Sequence, residues 1–217
     1  MSQPVKRRSY DSSRRQEQAR QGRARVLTAA RHRFLAEGYA ATALPAVAAD
    51  AGVSVESIYK AFRNKAGVLK AVFDVAVAGD DEPVAIMDRA FVAEINAEPD
   101  IARKLARYSE HLVPSMARSA PVLLLARAAA TLDADVAAVW EQLQAERLTG
   151  MTAFAGHLVG TGRLRAELTV DDVRDLLWTM NSVNVYELLV IDRGWAPERY
   201  GSFVAGTLTA ALVGDAS

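Results

Sequence analysis

The sequence predicts an all-α protein in two parts, a small helix-turn-helix head followed by a larger helical body. Three observations predict it. Apolar residues recur at three- and four-residue spacing along nearly the whole chain, and no run holds the two-residue alternation of a half-buried strand. Charge is also divided between the ends. The net charge is zero, yet residues 1–65 hold thirteen Lys/Arg against five Asp/Glu, so the rest is acidic to the same extent. A basic end on an acidic body is the pattern of polyanion binding joined to a second task, with a solvated basic tail as the plainer alternative. The 217 residues, 51% of them hydrophobic, suffice for one large domain or two small ones.

Several function classes drop out at once. The chain has no cysteine, which excludes disulfides, thiolate metal sites and cysteine nucleophiles. It lacks the run of about 18 uncharged apolar residues that a membrane span needs. Its basic start is not followed by the apolar stretch of a signal peptide, so a soluble cytoplasmic protein is expected.

Taken in order, residues 1–20 show no apolar periodicity and read as a basic flexible arm, residues 21–65 as the head and 66–217 as the body. In the first helix Val26, Ala29, Ala30, Phe34 and Leu35 share a face, and Gly38 is placed to cap its end. Thr42 is a suitable N-cap for the next helix, with Pro45 tolerated in its first turn. There Leu44, Val47, Ala48 and Ala51 line one side before Gly52. Ser54 can cap a third helix, with Ser57 at its N3 position and Ile58 and Phe62 facing inward. "RNK" breaks the pattern, and Ala66, Leu69, Val72, Phe73 and Ala76 return it. Further helices are expected at about 84–97, 99–118, 120–131, 133–159, 170–193 and 196–213, separated by "AEPD", "RSAP", "LDAD", "VGTGR" and "RGWAP".

The pair around Gly52 carries the functional argument. Two short helices packed across a tight turn need one residue that accepts positive φ, which glycine does at little cost. They also need a small residue at the crossing, here Ala48, and an apolar residue returned to the shared core, here Ile58. That is the spacing of a helix-turn-helix, whose second helix enters the DNA major groove. On its outer side Val55 can touch a thymine methyl, Glu56 can accept from a cytosine amino group and Ser57 can bond a base edge or phosphate. Tyr59, Lys60 and Lys65 suit phosphate oxygens, and Thr42 can offer its hydroxyl and nearby amides to another.

The stretch "RVLTAARHRFLAEGYAATALPAVAADAGVSVESIYKAFRNKAGVLKAVF" closely resembles the DNA-binding domain of the TetR family of bacterial repressors. The likeness rests on the Ala-Ala and Phe34 of the first helix, "EGY", Thr42, "VAADAGVS", "IYKAF" and Lys65. "LLWTMNS", "VYELLV" and "RGWAPERYGSFVAGTL" resemble the last helices of one subset. The resemblance implies an all-α homodimer with a DNA-binding domain of three N-terminal helices. A fourth helix, near 66–78, is the lever to a C-terminal ligand-binding and dimerisation domain, and the last two long helices form the interface. Its partners would be a double-stranded, pseudo-palindromic DNA operator and a small, largely apolar effector whose binding releases the DNA. By family position the DNA contacts are Thr42, Ser54, Val55, Ser57, Tyr59, Lys60 and Lys65. Glu56 joins them as a departure, since "VES" replaces the usual basic or small residue followed by Gly.

In the body, polar and large aromatic residues on otherwise apolar helices mark the candidate ligand pocket: Arg107, Tyr108, His111, Trp140, Phe154, Trp178 and Asn181. His157 and Asn184 are further outliers, and Trp178, Asn181 and Asn184 are spaced to share a helix face. Leu176, Leu177, Val183, Phe203, Leu208 and Leu212 are candidates for the dimer face, with Ala205, Gly206 and Ala210 allowing close approach. No cofactor, metal site or catalytic residue is expected. His32, His111 and His157 sit in no metal-binding frame, and Asp80–Asp81 and Asp171–Asp172 border helices, where acids favour the N-terminal end. A helical adaptor with a basic end for RNA or membranes is the rival reading.

Overall fold

The computed structural model describes residues 7–214, and among these every regular element is a helix. The chain divides into two compact units, Met1–Asp74 and Val75–Ser217. In the first, α1 (Arg7–Glu37), α2 (Leu44–Ala51) and α3 (Val55–Phe62) are followed by the start of α4 (Lys65–Ala78), in which the division falls. Of the residues read from sequence as an arm, 7–20 are helical and continue α1, while 1–6 lie outside the described residues. With few apolar side chains to bury, these turns give no periodic signal.

The core of this unit is small and dense. Val26, Leu27, Ala30 and Phe34 of α1 are buried with Leu44, Val47, Ala48 and Ala51 of α2, and with Ile58 and Phe62 of α3. Leu27 takes the place expected of Leu35, which is exposed. Arginines clamp the rim: Arg33 holds Asp50 through Nε at 2.5 Å, and Arg25 Nε donates to Ala51 O at 2.8 Å.

The second unit is built on α6 (Ile101–Ala129). Its companions are α5 (Ala90–Ala97), α7 (Ala134–Gly160), α8 (Val170–Met180), α9 (Val183–Tyr186), a π-helical segment Glu187–Asp192, and α10 (Pro197–Leu212). A single 3₁₀ turn, Ile86–Asp88, precedes α5. The most extensive packing is between α6 and α10. Ser109 Oγ donates to Gly201 O at 2.8 Å, and a Cβ on Gly201 would meet Val113 Cγ2 at 2.8 Å, so only glycine fits there without a shift.

Three sequence expectations need correction here. The break at "RSAP" does not occur: α6 runs through Pro114 and Pro121. A proline inside a helix costs about 3 kcal/mol, but Ala120, Val122, Leu123 and Ala126 are all buried around Pro121, and that burial holds the helix together. Conversely, the single helix expected at 170–193 ends at Met180. Ser182 starts a new one by accepting from Asn184 N at 3.0 Å, the local bond that makes Ser and Asn compete with helix interiors. Leu177, Val183, Leu208 and Leu212, expected on a dimer face, are enclosed in the core of one subunit.

Candidate functional site

Gly52 ends α2 at φ 62°, ψ 43°, with its N–H directed to Ala48 O and Ala49 O. Two residues later Ser54 caps α3, its Oγ accepting from Ser57 N at 3.2 Å. The turn therefore has the conformation that its glycine and serine dictate. Ile58 and Phe62 point inward from α3. Glu56, Ser57, Tyr59 and Lys60 are exposed along its outer side with Ser54 just before them, and Val55 is half-buried. Tyr59 is 52% accessible.

Four of the expected contact residues have side chains engaged within the unit: the Ser54 and Ser57 hydroxyls lie 3.0 Å apart in a mutual hydrogen bond, and Thr42 and Lys65 are tied to the backbone. Thr42 is buried, and its hydroxyl donates to Gly38 O at 2.8 Å. It does not cap α2, whose N-cap is Ala43 with no side-chain bond. Lys65 Nζ donates to Tyr39 O (2.9 Å), Thr42 O (3.2 Å) and Ala40 O (3.4 Å), and lies 4.3 Å from the centroid of the Tyr39 ring. These contacts fix the loop between α1 and α2 against the first turn of α4. The junction after α3 is unusual: Arg63 takes φ 69°, ψ −51°, and Asn64 N donates to Phe62 O at 2.9 Å across it.

In the second unit, four of the seven predicted ligand residues converge. Tyr108 of α6 packs on Phe154 of α7, centroids 5.1 Å apart, and its hydroxyl reaches Met151 Sδ at 3.6 Å. Asn181 Nδ2 meets the same sulfur at 3.5 Å. Burial holds the Tyr108 hydroxyl well above its usual pKa, so it stays protonated. Trp178 lies under a residue that sequence reasoning missed, Arg147 of α7, whose Cζ is 4.2 Å from the indole centroid. Arg147 Nη1 donates to Trp178 O and, at 3.0 Å, to Asn181 O, and Nη2 donates to Gln144 Oε1 at 3.0 Å. Burial pushes its pKa down to about 10.

The other three lie elsewhere. Arg107 pairs with Glu98 at 3.3 Å. His111 stacks on Phe91 at 3.5 Å, and both line a groove of 590 Å³ with Arg107. Trp140 is half-buried on α7, about two turns before Arg147. Asn184, expected to share a face with Trp178 and Asn181, instead accepts from Arg127 Nη1 at 2.5 Å, because the break at Asn181 destroys the register. His157 Nε2 faces Lys104 Nζ at 2.8 Å, and burial together with that ammonium holds its pKa low. Asp80 is clasped by Arg89 at 2.7 and 2.9 Å, while Asp172 forms a capping box with Thr169. Among the described residues no His/Asp/Glu cluster is arranged for a metal, and no helix is long and apolar enough to cross a membrane.

Residues 26–72 match the family model of bacterial regulatory proteins of the tetR family. Solved structures with the same fold include a TetR-family transcriptional regulator from Rhodococcus sp., 16% identical, covering 88% of this chain and 98% of that one at a TM-score of 0.66. The regulator FadR of Bacillus subtilis, in complex with stearoyl-CoA, is 18% identical and covers 85% of this chain and 96% of its own at 0.66. A transcriptional regulator from Saccharomonospora viridis, in complex with choline, is 17% identical and covers 89% and 98% at 0.61. No curated protein matches the chain in sequence. The N-terminal part of the chain thus matches the tetR family of bacterial regulatory proteins, and the chain has the fold of these solved regulators.

Proposed function

We propose that the chain is a ligand-responsive transcriptional repressor that binds a pseudo-palindromic operator as a homodimer and is released by a small, largely apolar effector. The observation that carries this reading is the outer side of α3. A helix whose inner residues Ile58 and Phe62 are fully used in packing presents Ser57, Tyr59 and Lys60 to solvent beyond a tight turn. Ser57 and Val55 read bases, and Tyr59 and Lys60 bind phosphates. The dimer reading is supported by α10, where Phe203, Gly206 and Ala210 are exposed at i, i+3 and i+7 and form one stripe of apolar and small residues. Two copies related by a two-fold axis would set their α3 helices about 34 Å apart, one turn of DNA. That two regulators of this fold were solved with stearoyl-CoA and with choline supports a small-molecule role for the body.

Linkage then supplies the switch. An effector that favours a dimer spread away from groove spacing weakens operator binding by the same free energy, typically about 1–3 kcal/mol, or roughly 5–150-fold. The test is selection from randomised duplex DNA followed by titration against salt. A two-fold symmetric site bound by a dimer in sedimentation, with affinity falling steeply as salt rises, is the expected result. Binding without sequence preference, or a monomer on a single half-site, would overturn it.

A further inference from the structure

We propose that the group around Arg147 reads a carboxylate, so that the effector is an organic acid anion with a flat apolar body; this rests on the ligand-responsive reading above. Arg89, Arg127 and Arg174 each hold a carboxylate of their own unit. Arg147 does not. Its acceptors are two backbone carbonyls and one amide oxygen, all neutral, and its Nε–H lies outside these bonds. Its neighbours are also donors. Trp178 Nε1 is buried without a hydrogen-bond partner. The Tyr108 hydroxyl and the Asn181 amide nitrogen both spend a hydrogen on the Met151 thioether, a weak acceptor. Asn181 also bonds to the Tyr108 oxygen, which uses further donor capacity without adding an anion.

Such a cluster has a surplus of donors and of positive charge. Buried polar groups ordinarily find partners, and a planar guanidinium matches a carboxylate through two parallel bonds. Trp178 lies against the guanidinium and Tyr108 packs on Phe154, and such flat faces suit a ring or other planar body. Capping of the α8 end explains Nη1, since cations favour a helix C-terminus. It explains neither the unpaired indole N–H nor the two donors turned toward sulfur. A carboxylate would compete with the Trp178 and Asn181 carbonyls for the same guanidinium, so its arrival would be felt where α8 ends.

The test is calorimetric titration of the full chain with benzoate, 1-naphthylacetate and decanoate, each against its primary amide. At least one acid is expected to bind ten-fold or more tightly than its amide. Arg147→Met should erase the preference, Arg147→Lys should keep part of it, and Trp178→Phe should weaken the acid several-fold. Equal affinity for acid and amide in every pair, no binding of any acid, or a preference that survives Arg147→Met would overturn the proposal. If Arg147→Met fails to fold, an unchanged preference in both Arg147→Lys and Trp178→Phe would overturn it instead. The titration contains no DNA, whereas failure of the repressor reading appears as the absence of a selected operator, so the two failures are distinguishable.

Discussion

Replacing Arg63 by glycine isolates the turn that positions α3. Arg63 sits at φ 69°, ψ −51°, and the Phe62–Asn64 bond of 2.9 Å closes a γ-turn of the disfavoured hand around it. A side chain in such a conformation costs roughly 1–2 kcal/mol. Glycine removes that strain but gives the unfolded chain extra freedom, which returns roughly 0.4–1 kcal/mol. Arg63→Gly should therefore stabilise by about 0.8 kcal/mol at the centre of these ranges, and by roughly 1.6 kcal/mol at most. At about 2–4 °C per kcal/mol for a chain of this length, the melting temperature should rise by about 2–3 °C, and by roughly 6 °C at most. Arg63→Ala is the control: it removes the same exposed cation yet keeps the strained backbone, and should change stability by less than about 0.5 kcal/mol. Thermal melts followed by circular dichroism decide the matter, since both variants lose the same charge. If the glycine variant melts at or below the alanine variant, the turn is not strained and the reasoning fails.

The remaining predictions follow from the same geometry. Ser54→Ala removes the cap of α3 and should cost about 1 kcal/mol, read as a drop in the melting temperature, whereas an unchanged melt would deny the cap. Lys60→Ala should weaken binding to all duplexes alike and reduce the slope of log affinity against log salt by about 1. Ser57→Ala should change preference at particular positions, and fluorescence anisotropy separates the two patterns. His157 and His111 are both held below the ordinary histidine range, mainly by burial, with Lys104 adding to the first and Arg118 and Arg89 to the second. A folded pKa below the unfolded value, about 6.5, gives stability that is present above that pH and lost as pH falls through the folded values. The melting temperature should therefore fall between pH 7 and 5, less steeply in His157→Gln; a flat or rising profile would contradict the assignment.

How far the sequence could be read depended on how local the cause was. Gly52, Ser54, Ile58 and Phe62 act within a few residues of one another, and their roles follow from spacing alone. Thr42 is different. Its type fits an N-cap, but its hydroxyl turns to Gly38 O, and the loop is fixed instead by Lys65, more than twenty residues away. Pro121 reads as a helix end because nothing local reveals the burial around it. Trp178, Asn181, Tyr108 and Phe154 stand out as polar or large residues in apolar helices, yet Arg147, in "ERL", looks like any solvated helix charge. Only packing of α7 against α8 turns it inward. The displaced Asn184 has one cause, a helix break that Asn and Ser permit but do not compel.

The three carbonyls gathered by Lys65 come from the loop between α1 and α2, while the lysine itself opens α4. The ammonium thus works as a rivet. A twist delivered along α4 cannot be absorbed as slack in that loop and must turn the base of α2 with it. Swapping that single amine for a shorter or neutral group would leave the loop between α1 and α2 loosely held to the start of α4.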